Sequence, residues 1–264
     1  LKKTCRGILV NGEWAYVRTL LKAGDRLETL LTEEVSSEKI LPVRLPFSIV
    51  YEDQDLLVLD KPADMPVHPS VNNYDNTLAN GVAYYFQEKG ESFVFRCINR
   101  LDRDTTGLLI LAKNALSASL LSAQMKKRQI HRTYLAVTAG IPDPPAGTVD
   151  APIGRKPGSA IERQVDPQQG ERAVTHYQVL DSRSSYSLVQ LRLETGRTHQ
   201  IRVHMKSIGC PLLGDYLYHP DFSLIGRTAL HSSRLSFVHP ITQKQLHFCA
   251  LLPKDMAGLF PQNA

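Results

Sequence analysis

The stretch INRLDRDTTGLLILAKN, residues 98–114, decides how the rest of the chain is read. Its charged segment, Arg100-Leu101-Asp102-Arg103-Asp104, passes through Thr105-Thr106-Gly107 into the apolar run Leu108-Leu109-Ile110-Leu111-Ala112. A short, continuously apolar run bounded by turn residues fits a strand covered on both faces, a signature that a buried helix segment shares. We read it as a strand fed by a charged loop. Asp102 then lies between two arginines whose positive field suits the carboxylate anion. A held, ionised carboxylate can act as a nucleophile. An Arg/Asp loop of this composition is equally a common surface salt-bridge network.

Outward from that stretch, composition sets bounds. The chain has 264 residues, 42% of them hydrophobic, enough for one large domain or a large domain plus a small one. Lys+Arg 31 against Asp+Glu 26 gives a net charge of +5, a modest basic bias that suits a polyanionic partner. Cys5, Cys97, Cys210 and Cys249 are scattered without a CxxC pair, which points to neither a zinc site nor a disulfide framework and makes a reducing cytoplasm the expected compartment. No apolar run approaches the roughly 18 residues of a membrane span, and no signal peptide precedes the first strand. Phosphate-loop, dinucleotide-binding and HExxH motifs are all missing.

Before the central stretch, Ile8 to Val10 reads as a strand leading into the turn Asn11-Gly12. Residues 32–46, with Pro42 and Pro46, read as a linker. Ile49 to Tyr51 and Leu56 to Leu59 are strands, followed by the proline-rich loop 61–69. Asn76 is the expected cap of a helix with Leu78, Val82, Tyr85 and Phe86 on its apolar face. After the central stretch, Ala115 to Lys127 is an expected helix packed through Leu116 and Leu120, ending in the basic cluster Lys126-Lys127-Arg128. That cluster complements the helix dipole; it also suits phosphate contact, because His131-Arg132 continue it. His131 to Val137 is a strand, and residues 141–172, rich in proline and glycine, read as an irregular insertion with a basic tip at Arg155-Lys156. Val174 to Leu180 and Tyr186 to Glu194 are paired strands. A helix is expected over Arg197 to Ile208, with Ile201, Met205 and Ile208 on one face and Arg202 and Lys206 on another. His199 and His204 are five apart and fall on different faces, which argues against a metal site.

Several of these segments together resemble the RluA family of pseudouridine synthases. Arg100, Leu101, Asp102, Thr105 and Gly107 match the family's HRLDxxTSG-type loop, with Asn99 where His is usual and Thr106 where Ser is usual. KPADMPVHP (61–69) resembles KPAGxxVHP with Asp64 in place of Gly; His131 to Val137 resembles KxYxAxV; GRTHQIRVH (196–204) resembles GRxHQLRxH; residues 214–218 and 230–240 resemble two further motifs. The resemblance implies an α+β pseudouridine synthase fold, a mixed and mostly antiparallel sheet flanked by helices with a central cleft. It also implies RNA uridine isomerisation without a cofactor or metal. Asp102 would be the nucleophile, Arg197 its ion-pair partner, and Tyr134 the ring that stacks on the target base. RNA contacts would fall to Arg100, Arg103, Lys126, Lys127, Arg128, Arg132, Arg155, Lys156 and Arg202, with Arg100 filling the space the flipped base leaves. By the same resemblance, residues 1–31 would be the β-rich end of an S-four-like RNA-binding domain and 47–264 the catalytic domain. A small β extension packed on the main domain fits 1–31 as well. The expected partner is ribosomal or transfer RNA, with the protein a cytoplasmic monomer away from membranes. A non-catalytic RNA-binding protein of this fold acting in ribosome assembly is the alternative, and a uracil-releasing glycosylase a third.

Overall fold

The computed structural model describes residues 7–16, 18–29, 36–37 and 40–261; Cys5 and parts of the expected extension and linker lie outside them. The first three strands, β1 (Ile8–Val10), β2 (Glu13–Trp14) and β3 (Leu27–Thr29), form a small antiparallel sheet of their own around the Asn11-Gly12 turn. The described part of the linker is held against the main body: Ser36 and Ser37 hydroxyls accept the Phe93 and Phe95 N–H groups.

The main body follows as β4 (Ser48–Glu52), β5 (Leu56–Lys61), α1 (Leu78–Glu88), β6 (Thr106–Ala112), α2 (Ala115–Lys126) and β7 (His131–Ala139). It continues through β8 (Ala146–Asp150), β9 (Ile153–Arg155), β10 (Arg163–Val165), β11 (Val174–Ser182) and β12 (Tyr186–Leu193). The last elements are α3 (Gln200–Ser207), β13 (Leu230–Val238), β14 (Gln245–Cys249) and α4 (Lys254–Ala257). One sheet runs β4-β5-β6-β13-β7-β12-β11-β8, with β14 beside β13. Every pairing in it is antiparallel except β13 with β6. This is the mixed, mostly antiparallel α+β architecture expected.

The central stretch sits in the middle of that sheet. All seven residues of β6 are buried, so the strand is covered on both faces and no alternation is visible in its sequence. Leu109 and Leu111 enter one core cluster with Leu57, Leu59 and Tyr134, whereas Leu108 and Ile110 enter another with Leu121, Leu235 and Phe237. Gly107 makes the parallel contact possible. Its φ is +106°, and a Cβ there would fall 2.3 Å from the Ser232 carbonyl oxygen. Gly107→Ala is therefore expected to cost about 3 kcal/mol or more through combined strain and overlap. Thermal unfolding measures it, and an unchanged midpoint would contradict this packing.

Four local expectations change. Thr77, not Asn76, caps α1: its side chain and that of Asn80 form a capping box, while Asn76 donates to Asn73. Helix α2 buries Ser117 and Leu121 rather than Leu116 and Leu120, which are 40% and 37% exposed. With several small residues on every side of that helix, its periodicity did not identify the buried face. The insertion is ordered, with β8 joining the main sheet beside β11 and β9 pairing β10. Helix α3 starts at Gln200, because His199 takes a left-handed φ of +58° that no helix continues through. Its Ile201 and Met205 are buried as expected; Ile208 lies beyond its end and is exposed.

Candidate active site

The loop before β6 is anchored from several sides. Asn99 is buried and its Oδ1 accepts the Ile110 N–H at 2.9 Å, which ties the loop to the strand it feeds. An acceptor at that place is what the loop needs, and an amide supplies it without a titratable ring. The cost is visible in Asn99 Nδ2, a buried donor left without a partner. Thr105 N–H closes a turn onto the Asp102 carbonyl. Beneath it lies Lys61, fully buried at the end of β5. Its Nζ donates to the carbonyls of Pro62, Met65 and Arg103 at 2.7, 2.9 and 2.8 Å and so stitches the proline-rich loop to the Asp102 loop. Burial pushes the Lys61 ammonium down to about 7, with Asp104 and Asp102 opposing.

Asp102 points into a cavity of about 460 Å3 between the loop, the end of α2, β7 and the start of α3. Arg202 Nη1 donates to Asp102 Oδ2 at 3.1 Å. The same guanidinium grips Asp215 through Nε and Nη2, both at 2.7 Å, in a two-toothed pair buried at both ends. Asp215 is aimed in turn by the Leu217 and Tyr218 N–H groups, and the Tyr216 and Tyr218 rings lie 5.3 and 5.0 Å from the Arg202 guanidinium carbon. Burial works against the Arg202 charge, but its bonds to Asp215 and Asp102 outweigh burial and hold it protonated more firmly than a free arginine. His199 completes this side, with Nε2 3.9 Å from the same Asp102 oxygen.

The ion pair expected of Arg197 is thus made by Arg202. Arg197 pairs with Glu171 and donates to the Arg172 carbonyl, at the rim. The cause is the helix start: with α3 beginning at Gln200, Arg202 falls in its first turn and projects back toward the loop, while Arg197 belongs to the turn before it. Arg202 is likewise corrected from an RNA-facing surface cation to a buried one, 2% exposed.

Other candidates converge on the same cavity. Tyr134 and Arg132, two apart on β7 and so on one face, line it. The Arg132 Nε is buried and unpartnered, beside Gly196. Arg100, Lys126, Arg128 and Arg197 also line it; Arg100 donates to the Thr198 hydroxyl at 3.1 Å, and Arg128 pairs with Glu194. The wall is therefore strongly cationic, with Asp102 and Glu194 as its carboxylates and Glu194 taken up by Arg128. Arg103, Lys127, Arg155 and Lys156 do not line it. Arg103 is claimed by Asp64, and Lys156 by Glu162. Asp64 holds φ at +55°, a conformation natural to glycine, and uses its carboxylate to clamp Arg103.

His199, Lys61, Tyr218 and Asp215 were not singled out for the site from sequence. One signal was available for Asp215 and Tyr218: both lie in residues 214–218, a segment that resembles a family motif. Among the described residues, Asp53, Asp55 and His239 lie at metal-ligand spacing. Their atoms are committed elsewhere: His239 Nδ1 accepts two backbone N–H groups, leaving Nε2–H to donate to Asp53, and Asp55 accepts from Asn114 and Ser117. No helix among the described residues is long and apolar enough to cross a membrane.

Comparison with known proteins addresses the same span. The family model described as RNA pseudouridylate synthase matches residues 55–207, from β5 to the end of α3. The chain is 45% identical over 250 residues to the uncharacterized RNA pseudouridine synthase YjbO of Bacillus subtilis, covering 95% of this chain and 88% of that one. It is 44% identical over 236 residues to the ribosomal large subunit pseudouridine synthase D of Zymomonas mobilis, covering 83% and 73%. Among solved structures, human RNA pseudouridylate synthase domain containing 4 superposes with a TM-score of 0.65 at 28% identity, over 79% of this chain and 90% of that one. With the sheet, the loop and these relatives in agreement, the chain belongs to the RNA pseudouridylate synthase family, whose members are isomerases acting on RNA.

Proposed function

We propose that this protein isomerises uridine in ribosomal RNA with Asp102 as the nucleophile. The observation that carries the proposal is the carboxylate itself: one Asp, held by a buried Arg202 on one oxygen and open on its other side to a cavity walled by cations. The reaction breaks an N-glycosidic bond, turns the uracil over and rejoins carbon 5 to the anomeric carbon. It involves no net redox change. Asp102 supplies the attacking oxygen. Arg202 aims it, and because Arg202 is itself fixed by Asp215 the aim costs no reorganisation when RNA binds. Tyr134 offers a flat face to the extruded base, and the apolar side of the cavity excludes the water that would intercept the detached uracil. Arg100, Lys126, Arg128, Arg132 and Arg197 meet the phosphates around the target.

Ribosomal RNA is favoured over transfer RNA because relatives named for the ribosomal large subunit align over most of this chain. The separate sheet of β1 to β3 supports reading residues 1–31 as the end of an RNA-binding domain, 32–46 as its linker and 47–264 as the catalytic domain; we take the protein to be a cytoplasmic monomer. Purified protein incubated with unmodified large-subunit ribosomal RNA transcripts is expected to create discrete carbodiimide-dependent reverse-transcription stops, with transfer RNA transcripts unmodified. Stops on transfer RNA alone would overturn the substrate assignment. Binding without stops on either would favour the non-catalytic alternative, and release of free uracil would favour the glycosylase.

A further inference from the structure

His199 occupies the N-cap of α3, a place where Ser, Thr, Asp or Asn normally accepts a helix N–H from an extended backbone. It makes no such bond, and its φ is +58°. A left-handed non-glycine residue costs on the order of 1 kcal/mol or more, and such strain persists where the surroundings hold the residue for another purpose. The side chain, 10% exposed, turns into the site instead of onto the helix. Its Nδ1 lies 2.9 Å from the Tyr218 hydroxyl, and the Tyr218 oxygen accepts the Arg163 N–H at 2.8 Å. Because the Tyr218 oxygen already accepts the Arg163 N–H, the arrangement that also uses the hydroxyl hydrogen has Tyr218 donating to Nδ1. In that arrangement the ring hydrogen sits on Nε2, which faces Asp102 Oδ2 at 3.9 Å.

We infer that His199, its tautomer set by Tyr218, is a positioning residue that presents a neutral N–H to Asp102 as a second donor beside Arg202. This rests on the reading of Asp102 as the nucleophile. Arg202 holds the carboxylate from the buried side; His199 lies a short closure away from the same oxygen and contracts onto it when RNA fills the cavity. The groups facing the ring are Asp102 from the catalytic loop, Arg202 from α3, Asp215 and Tyr218 from the turn beyond it and Arg163 from β10. Burial lowers the imidazole below its ordinary value, with Asp102 opposing, which favours the neutral ring. When pH falls far enough to protonate Nδ1, the Tyr218 hydroxyl must turn away and an imidazolium locks onto Asp102. Activity on the acid side therefore declines partly through His199.

Two measurements test this. Nitrogen-15 spectra of the histidine-labelled protein at neutral pH should show His199 as the Nε2–H form, and Tyr218→Phe should lose that preference; an Nδ1–H form in the wild type would overturn the inference. On an unmodified large-subunit ribosomal RNA transcript, His199→Asn, which tolerates the left-handed backbone, should lower kcat about tenfold or more with KM within about twofold. His199→Gln, which restores a donor near the Nε2 position, should recover part of kcat. The Tyr218→Phe/His199→Asn double variant should be no slower than His199→Asn, since both act through one ring. A wild-type kcat and pH profile in His199→Asn, at matched thermal stability, would sink the role. If the wild type itself makes no product on any RNA, the catalytic reading fails, and the spectra decide the tautomer on their own.

Discussion

Asp102→Asn is expected to lower product formation by about a thousandfold or more while leaving the fold and the affinity for RNA close to wild type. The amide fills the same space but has no charge to attack with. Stability changes little, because Arg202 keeps its buried, two-toothed pair with Asp215 whether or not Asp102 is charged. RNA affinity comes mostly from phosphate contacts, and those cations line the cavity independently of Asp102. The variant should therefore bind an unmodified transcript with a Kd within about threefold of wild type and the same salt dependence. Undiminished isomerisation would remove Asp102 from the chemistry. A parallel loss of binding would mean that the carboxylate serves to order the site.

Arg202→Met should be damaging in two ways that separate it from every other arginine in the cavity. It leaves Asp215, which has no exposed surface, as an uncompensated buried charge, a change that typically costs about 3–5 kcal/mol. It also frees Asp102 from its one close cation, so catalysis falls with stability. Arg202→Lys keeps a charge but loses the fork that engages two carboxylates at once, and should recover stability more than activity. Arg197→Met provides the contrast. Arg197 is a partly exposed rim residue paired with Glu171, so its loss should change stability by less than about 1 kcal/mol and act through KM. Chemical denaturation of the three variants with single-turnover rates would reverse the assignment if Arg197→Met lost the chemical step and Arg202→Met kept it.

The contrast between those two arginines shows how far the residues alone carry the reading. The buried strand after Gly107, the charged loop before it, the strand that carries Tyr134 and the cationic run from Lys126 to Arg132 were legible from local pattern, namely apolar run, turn, alternation and charge density, whereas the roles of Asp102 and Tyr134 came from the family resemblance. The partner of Asp102 was not, because it depends on where a helix starts, and that start is set by His199 adopting a left-handed conformation for which the sequence carries no propensity signal. Lys61 was invisible for a related reason. A lysine becomes a buried clamp only when three carbonyls from two distant loops converge on it. Asn99 went the other way: its departure from the usual His was visible at once, but its role, accepting the Ile110 N–H, needed the strand in place. The insertion was misread because its short strands are held by pairing rather than by composition, β8 with β11 beyond the insertion and β9 with β10 within it.

The role of Asp102 is tested most directly by transcriptome-wide carbodiimide mapping of pseudouridine in cells lacking this protein, complemented with either the wild type or Asp102→Asn. The prediction is that specific ribosomal RNA stops vanish on deletion, return with the wild type and stay absent with Asp102→Asn expressed at the same level. Stops that persist on deletion, or that return with Asp102→Asn, would contradict it.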